Sequence, residues 1–113
     1  MNYVAEKYAG KHVGLIGTKQ TVGSGVYEYQ LKLKDPSIKF SALATPLLVP
    51  MIEEGFHNNN ISEAIIEQYL SDSVLEGIDT LILGCTHYPL IKDAIDKFYG
   101  GAIEVIDSSV IVA

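Results

Sequence analysis

The chain has 113 residues, of which 48% are apolar and 19% are charged, and its formal net charge at pH 7 is −6. Such a chain holds enough apolar side chains for one domain with one core, so intrinsic disorder is excluded. The excess of 14 Asp and Glu over 8 Lys and Arg argues against nucleic acid or an anionic membrane as the main partner. No apolar run approaches the ~20 residues that span a bilayer. A single Cys excludes an internal disulfide, and without a signal-peptide pattern we expect a cytoplasmic protein.

The first part of the chain predicts a helix, a strand, a second helix and a second strand. Residues 1–9 suit a short helix, and the apolar residues 12–17 suit a buried strand. Thr21 is placed to cap a helix whose apolar residues continue to Leu33. Residues 38–44 alternate at first and then become wholly apolar, which is typical of a parallel strand entering a core.

The second part of the chain continues this alternation of helices and strands. The segment from Pro46 to Gly55 is predicted as a loop or a short helix. Asn60 and Glu63 resemble a capping box, and the apolar stripe that follows predicts the clearest helix of the chain, ending at Gly77. Three further elements are predicted: a strand over 80–83, a helix over 89–98 and a strand over 103–106.

Strands that alternate with helices predict a three-layer α/β domain, in which a four-stranded, mainly parallel sheet is flanked by helices on both faces. Residues 1–113 form a single lobe in this prediction. Asp107 begins what reads as a further helix, and the apolar residues 110–113 have no polar face and no closing residue. We therefore expect the chain to be one part of a longer protein.

Hydroxyl side chains follow the strands at the edge where open parallel sheets bind ligands. Thr18, Thr45 and Thr86 each lie just past a predicted strand, near a predicted helix start. Free backbone N–H groups at a helix start favour an anion. We expect a site for a small anion rather than a nucleotide, because the chain has neither a G-x-G-x-x-G nor a Walker motif. Taken alone, Thr18 and Thr21 are better explained as helix caps.

Cys85 is the most informative residue of the sequence. It lies just past the strand at 80–83, near a helix start and two residues before His87. A helix amino terminus and a nearby imidazolium both favour the reactive thiolate form of a cysteine. A lone intracellular Cys is also commonly a small buried apolar residue, and both interpretations stay open at this point. His87 could act on the thiol or cap backbone carbonyls.

Two acidic residues, Glu53 and Glu54, close the segment that follows the second strand. A carboxylate there could orient His87, although an ordinary solvated pair is the better interpretation from the residues alone. His12 and His57 lie elsewhere and are expected at the surface. The spacing of one Cys and three His is not that of a zinc site, so no metal is predicted.

Three segments carry a resemblance to a known family. Residues 83–90, LGCTHYPL, strongly resemble the second cysteine motif of the bacterial glutamate racemases. Residues 14–22, GLIGTKQTV, and 44–55, ATPLLVPMIEEG, resemble two further blocks of that family in the right order. The resemblance covers nearly the whole chain. The related aspartate racemases typically carry Glu at the position of His87, so His87 points to the glutamate enzymes, with an aspartate-racemase type as the alternative.

The resemblance implies a two-lobed enzyme that encloses glutamate, takes one cysteine from each lobe, needs no pyridoxal phosphate and no metal, and makes D-glutamate for peptidoglycan. It implies that Cys85 removes the α-proton of L-glutamate, or delivers it when L-glutamate is made, and that His87 assists this thiol. Glu53 matches the auxiliary carboxylate of the family better than Glu54 does. The substrate-binding residues that the resemblance implies are Thr86, His87, Thr18 and Thr21.

Three motifs of the family's amino-terminal lobe do not occur in this chain, namely Asp-Ser-Gly, Pro-Tyr-Gly and the Cys-Asn-Thr that holds the first cysteine. The resemblance therefore implies that an amino-terminal lobe is needed as a partner and that this chain alone does not racemise glutamate. A homo-oligomer stays open. So do two other functions, a non-catalytic interaction domain and a thiol enzyme that uses Cys85 as a nucleophile.

Overall fold

In the computed structural model of the protein, residues 2–57 and 59–107 are described. Strands alternate with helices along this part of the chain. The strands are β1 (His12–Gly17), β2 (Lys39–Ala44), β3 (Thr80–Leu83) and β4 (Glu104–Asp107). The helices are α1 (Asn2–Lys7), α2 (Lys19–Ser24), α3 (Val26–Lys34), α4 (Leu48–Glu53), α5 (Asn60–Leu70) and α6 (Lys92–Tyr99). Short 3-10 turns lie at Ser73–Leu75 and Tyr88–Ile91.

The strands form one parallel sheet in the order β2-β1-β3-β4. The register aligns the strand ends, since Gly17 lies beside Ala44 and Leu83 lies beside Asp107. The central strands β1 and β3 are buried almost throughout, which explains why both read as continuous apolar runs. The carboxyl ends of all the strands therefore meet at one edge, the carboxyl edge. The predicted four-stranded parallel sheet is confirmed.

Helices cover both faces of this sheet, which confirms the three-layer α/β architecture. Alternate residues of a strand point to opposite faces, so Leu15 packs on one side and Ile16 on the other. One side, with α1 and α3, buries Val4, Ala5, Tyr8, Val13, Leu15, Leu31, Ile38, Ile82 and Ile106. The other side, with α4, α5 and α6, includes Ile16, Leu48, Ile66, Leu81, Leu83, Tyr88, Ile91 and Ile95.

The sequence predicts one helix after β1, but the structure has two. The predicted cap, Thr21, is also wrong. Thr18 is the N-cap of α2, because its hydroxyl accepts the backbone N–H of Thr21. Gly25 has a φ of +69°, a left-handed conformation that strains residues with a side chain; it ends α2 and precedes α3. Helix α3 buries Leu31. Three apolar side chains of α3 stay exposed: Val26, Tyr29 and Leu33.

The helix with the clearest apolar stripe has a different cap from the predicted one. The capping box joins Asn59 and Ser62 rather than Asn60 and Glu63: Asn59 Oδ1 accepts the N–H of Ser62 at 2.9 Å, and Ser62 Oγ accepts the N–H of Asn59 at 3.0 Å. Ser62 is fully buried, so its hydroxyl needs these partners. Helix α5 ends well before Gly77, and a 3-10 turn follows it.

The helix predicted over 89–98 begins as the 3-10 turn Tyr88–Ile91, so α6 starts three residues later than predicted, at Lys92. The remaining elements agree with the prediction within a residue or two. The segment from Pro46 to Gly55 holds the short helix α4, which is one of its two predicted forms. Asp107 ends β4, and the helix predicted after it, with the apolar residues 110–113, lies outside the described residues. None of the helices that the structure describes is long and apolar enough to cross a membrane.

Candidate active site

The Cys85 thiol and the His87 imidazole meet at the carboxyl edge of the sheet. Cys85 lies two residues past the end of β3, and its Sγ lies 3.7 Å from Nδ1 of His87. The backbone N–H of Tyr88 donates to the carbonyl of Cys85 at 3.1 Å, which closes the turn that holds both side chains. His87 makes no capping hydrogen bond to the 3-10 turn that it precedes. Of the two roles left open for its ring, the contact with the thiol is the one observed.

Gly84 brings this turn close to the centre of the sheet. Its backbone N–H donates to the carbonyl of Ile16 at 2.9 Å. A Cβ atom at Gly84 would lie 2.9 Å from Cδ1 of Leu15, 3.0 Å from the carbonyl oxygen of Ile16 and 3.4 Å from Cγ2 of Thr21. A residue with a Cβ atom would therefore have to displace these neighbours, whereas glycine fits without strain. This close approach places the half-buried Cys85 at the same edge as Thr21.

Thr18 and Thr21 form a hydroxyl pair at the start of α2. Thr18 Oγ1 accepts the N–H of Thr21 at 3.2 Å and donates to Thr21 Oγ1 at 3.1 Å. The capping interpretation is therefore confirmed for Thr18. Thr21 caps nothing and instead packs beside Gly17 and Gly84, where a Cβ at Gly17 would lie 3.2 Å from its Cγ2. The substrate-binding role of both residues stays a prediction.

The other two predicted site residues, Thr86 and Glu53, are exposed. Thr86 lies between Cys85 and His87 in the turn, so it shares their edge of the sheet. Glu53 is the last residue of α4, a helix that packs against the 3-10 turn after His87. Within residues 2–57 and 59–107, the Glu53 carboxylate makes no hydrogen bond or ion pair with His87. Its role as an auxiliary carboxylate stays a prediction.

Two tyrosines near the thiol were not identified from the sequence. Burial raises the pKa of Tyr88 to about 12; the hydrogen bond between Tyr88 and Thr45 lowers it, and negative charge on Cys85 raises it further. Burial also raises the pKa of Tyr27, again with a contribution from charge on Cys85. Both phenols therefore stay protonated at neutral pH. Tyr88 follows His87 directly in the sequence, and that adjacency was the available signal.

Metal ligands are not clustered in the part of the chain that the structure describes. No group of three or more His, Cys, Asp or Glu side chains there lies close enough together to hold an ion.

The fold and the site together define an α/β lobe that carries a thiol and an imidazole where open sheets bind small ligands. Residues 1–113 match the family model described as Asp/Glu/Hydantoin racemase, and the chain belongs to this family. It is 49% identical over 105 residues to the glutamate racemase of Aquifex pyrophilus, covering 92% of this chain and 39% of that protein. It is 44% identical over 102 residues to that of Sulfurihydrogenibium sp. (strain YO3AOP1), covering 90% and 39%.

Solved structures support the same relationship. The crystal structure of glutamate racemase from Francisella tularensis subsp. tularensis SCHU S4 in complex with D-glutamate superposes with a TM-score of 0.82 at 39% identity, over 94% of this chain and 38% of that chain. The resemblance found in the sequence is confirmed. This chain spans 39% of the length of the two curated relatives above.

Proposed function

We propose that the protein is one lobe of a cofactor-independent glutamate racemase that interconverts L- and D-glutamate. The observation that carries the proposal is the Cys85–His87 pair, with Sγ 3.7 Å from Nδ1, at the edge of the sheet where ligands bind. Glutamate as the substrate is supported by the relatives, which are glutamate racemases. The D-glutamate so made would serve peptidoglycan synthesis.

The mechanism needs two bases on opposite faces of the substrate. Cys85, as the thiolate, would remove the α-proton of L-glutamate, while a thiol of the missing lobe delivers a proton to the other face. In the reverse direction Cys85 would be the acid. The α-proton of an amino acid is very weakly acidic, so both groups must be held close to the α-carbon in a site that excludes water.

The remaining site residues would bind the substrate and assist the thiol. His87 would exchange a proton with Cys85, and Glu53 would orient or charge the imidazole from the end of α4. The hydroxyls at the carboxyl edge, near the free N–H groups of helix starts, suit the carboxylate and amine groups of glutamate. The residues assigned to substrate binding are Thr86, His87, Thr18 and Thr21.

One lobe alone supplies one base and leaves the carboxyl edge open to water. We therefore expect no racemisation by the 113-residue chain. Replacing the matching segment of the Aquifex pyrophilus racemase with this chain gives a hybrid enzyme that restores the other lobe. The hybrid should interconvert the glutamate enantiomers, as measured by circular dichroism. Racemisation by this chain alone, or an inactive but folded hybrid, would contradict the proposal.

A non-catalytic interaction domain is the second candidate, and the exposed apolar side chains of α3 favour it. Tyr29 and Leu33 are 66% and 67% exposed, and both lie on a helix whose Leu31 faces the core. Covering such a stripe with a second copy of the chain would stabilise an oligomer. Light scattering separates the candidates, since a monomer across a wide concentration range counts against the interaction domain.

A further inference from the structure

A buried hydrogen bond joins the turn that carries the thiol to the end of a different strand. The hydroxyl of Tyr88 lies 2.6 Å from Oγ1 of Thr45, and both residues are 0% exposed. Tyr88 begins the 3-10 turn directly after His87, and Thr45 directly follows β2. The bond therefore links the segment after β3 to the segment after β2 across the carboxyl edge.

The partners of Thr45 fix the direction of this bond. Thr45 Oγ1 donates to the carbonyl of Gly17 at 3.3 Å, and a hydroxyl has one proton to donate. The Tyr88 hydroxyl must then be the donor to Thr45 Oγ1. The backbone N–H of Thr45 donates to the same Gly17 carbonyl at 2.8 Å. Tyr88, Thr45 and Gly17 thus form a continuous chain of hydrogen bonds across the ends of β3, β2 and β1.

In the part of the chain that the structure describes, the Cys85 thiol is the one hydrogen-bonding contact of the His87 imidazole. Its orientation therefore depends on the backbone turn over residues 85–88. Two hydrogen bonds of Tyr88 hold that turn: its backbone N–H bonds to the carbonyl of Cys85, and its hydroxyl bonds to Oγ1 of Thr45.

We propose that Thr45 and Tyr88 are positioning residues, whose hydrogen bond holds the turn over residues 85–88 against the end of β2 and so keeps the His87 imidazole at the Cys85 thiol. The catalytic importance of this positioning rests on the proposed function. The positioning itself can be measured without that function, because the chain contains a single cysteine. Alkylation by iodoacetamide therefore reports on Cys85 alone.

The test compares the rate–pH profile of alkylation in the native chain and in two variants that each remove one side of the bond. Tyr88→Phe and Thr45→Val should lower the alkylation rate at neutral pH by roughly fivefold, because the imidazole is no longer held at the thiol. Thr45→Ser keeps the hydroxyl and should keep the native profile. Tyr88→Phe removes one oxygen and leaves the ring in the core, so this variant alone tests the positioning role if Thr45→Val does not fold.

Thr80→Val is the matched control. Thr80 is also 0% exposed, and its hydroxyl donates to the carbonyl of Glu104 at 2.7 Å, but it lies at the opposite edge of the sheet. This variant should lose stability and keep the native alkylation profile. A native profile in folded Tyr88→Phe, or an equal change in Thr80→Val, would overturn the proposal.

The hybrid enzyme separates this proposal from the proposed function. Altered alkylation in the variants together with an inactive hybrid would support the positioning role of Thr45 and Tyr88 and contradict the proposed racemase function. An active hybrid together with unchanged alkylation in folded Tyr88→Phe would contradict the positioning role and leave the proposed racemase function supported.

Discussion

Sγ of Cys85 and Nδ1 of His87 lie 3.7 Å apart on one turn at the carboxyl edge of the sheet. A single residue, Thr86, separates them in the chain, so the turn itself sets their distance. Proton exchange between these two groups is part of the proposed function.

His87→Asn in the hybrid enzyme should lower the kcat for racemisation by about a hundredfold, because the thiol loses a positioned proton-transfer partner. Enantiomer interconversion measured by circular dichroism gives the rate. His57→Asn is the matched control, since His57 lies in the loop between α4 and α5. Equal losses in both variants would mean that His87 has no specific role.

Gly84→Ala should destabilise the protein by roughly 1–3 kcal/mol, since the new methyl group would overlap the side chain of Leu15 and the backbone of Ile16. Urea unfolding gives the free energy. Gly23→Ala offers the comparison, because a Cβ there would meet nothing within 4 Å. An alanine inside α2 should stabilise by up to about 1 kcal/mol. Similar effects of both changes would contradict the close approach at Gly84.

Thr18→Ala should cost about 1 kcal/mol of unfolding free energy through the loss of the α2 cap. Thr18→Ser retains a hydroxyl and should lose much less. If Thr18 also binds substrate, Thr18→Ala in the hybrid should raise the KM for glutamate as well. An unchanged unfolding free energy in Thr18→Ala would show that the hydroxyl pair does not stabilise the helix start.

The stability of the protein should fall at high pH. Burial raises the pKa of Tyr88 from 10.0 to about 12, so between these values the unfolded chain releases a proton that the folded protein keeps. The folded state is then disfavoured as pH rises. We expect the unfolding free energy to be level up to about pH 10 and to fall by on the order of 1–2 kcal/mol towards pH 12 from this group. Denaturant titrations at several pH values measure it.

Tyr88→Phe is the control for that pH dependence. It removes the ionisable group and should make the fall above pH 10 shallower, even though its stability at neutral pH is lower. An equally steep fall in this variant would assign the effect to other groups. Burial also raises the pKa of Tyr8 and of Tyr99, so a residual slope is expected.

Elements that depend on local patterns could be predicted from the sequence. Strand β3 has four buried residues and reads as a continuous apolar run, and its position required no knowledge of the rest of the fold. The contact between Cys85 and His87 is equally local, which is why the sequence could place both at one site. The choice between neighbouring caps was harder. Asn59 and Asn60 are adjacent, and both are residue types that suit a cap. In the fold Ser62 is buried and pairs with Asn59, and the sequence does not show that burial.

Relationships that depend on strand order could not be predicted. The Thr45–Tyr88 bond joins residues 43 apart in the chain, and it exists because the sheet has the order β2-β1-β3. Alternation of strands and helices implies a parallel sheet but does not fix that order. The left-handed turn at Gly25 likewise splits a continuous apolar pattern into two helices, since the pattern alone does not show where the chain changes direction.

Solvent-deuterium exchange at the α-carbon of glutamate tests the central claim most directly, namely that Cys85 is the acid–base group that acts on L-glutamate. The hybrid enzyme and its Cys85→Ser variant are incubated in D₂O with each enantiomer, and the α-proton signal is followed by NMR. We predict that Cys85→Ser abolishes exchange into L-glutamate while slow exchange into D-glutamate persists through the other lobe. Exchange into L-glutamate at the rate of the unsubstituted hybrid would contradict the account.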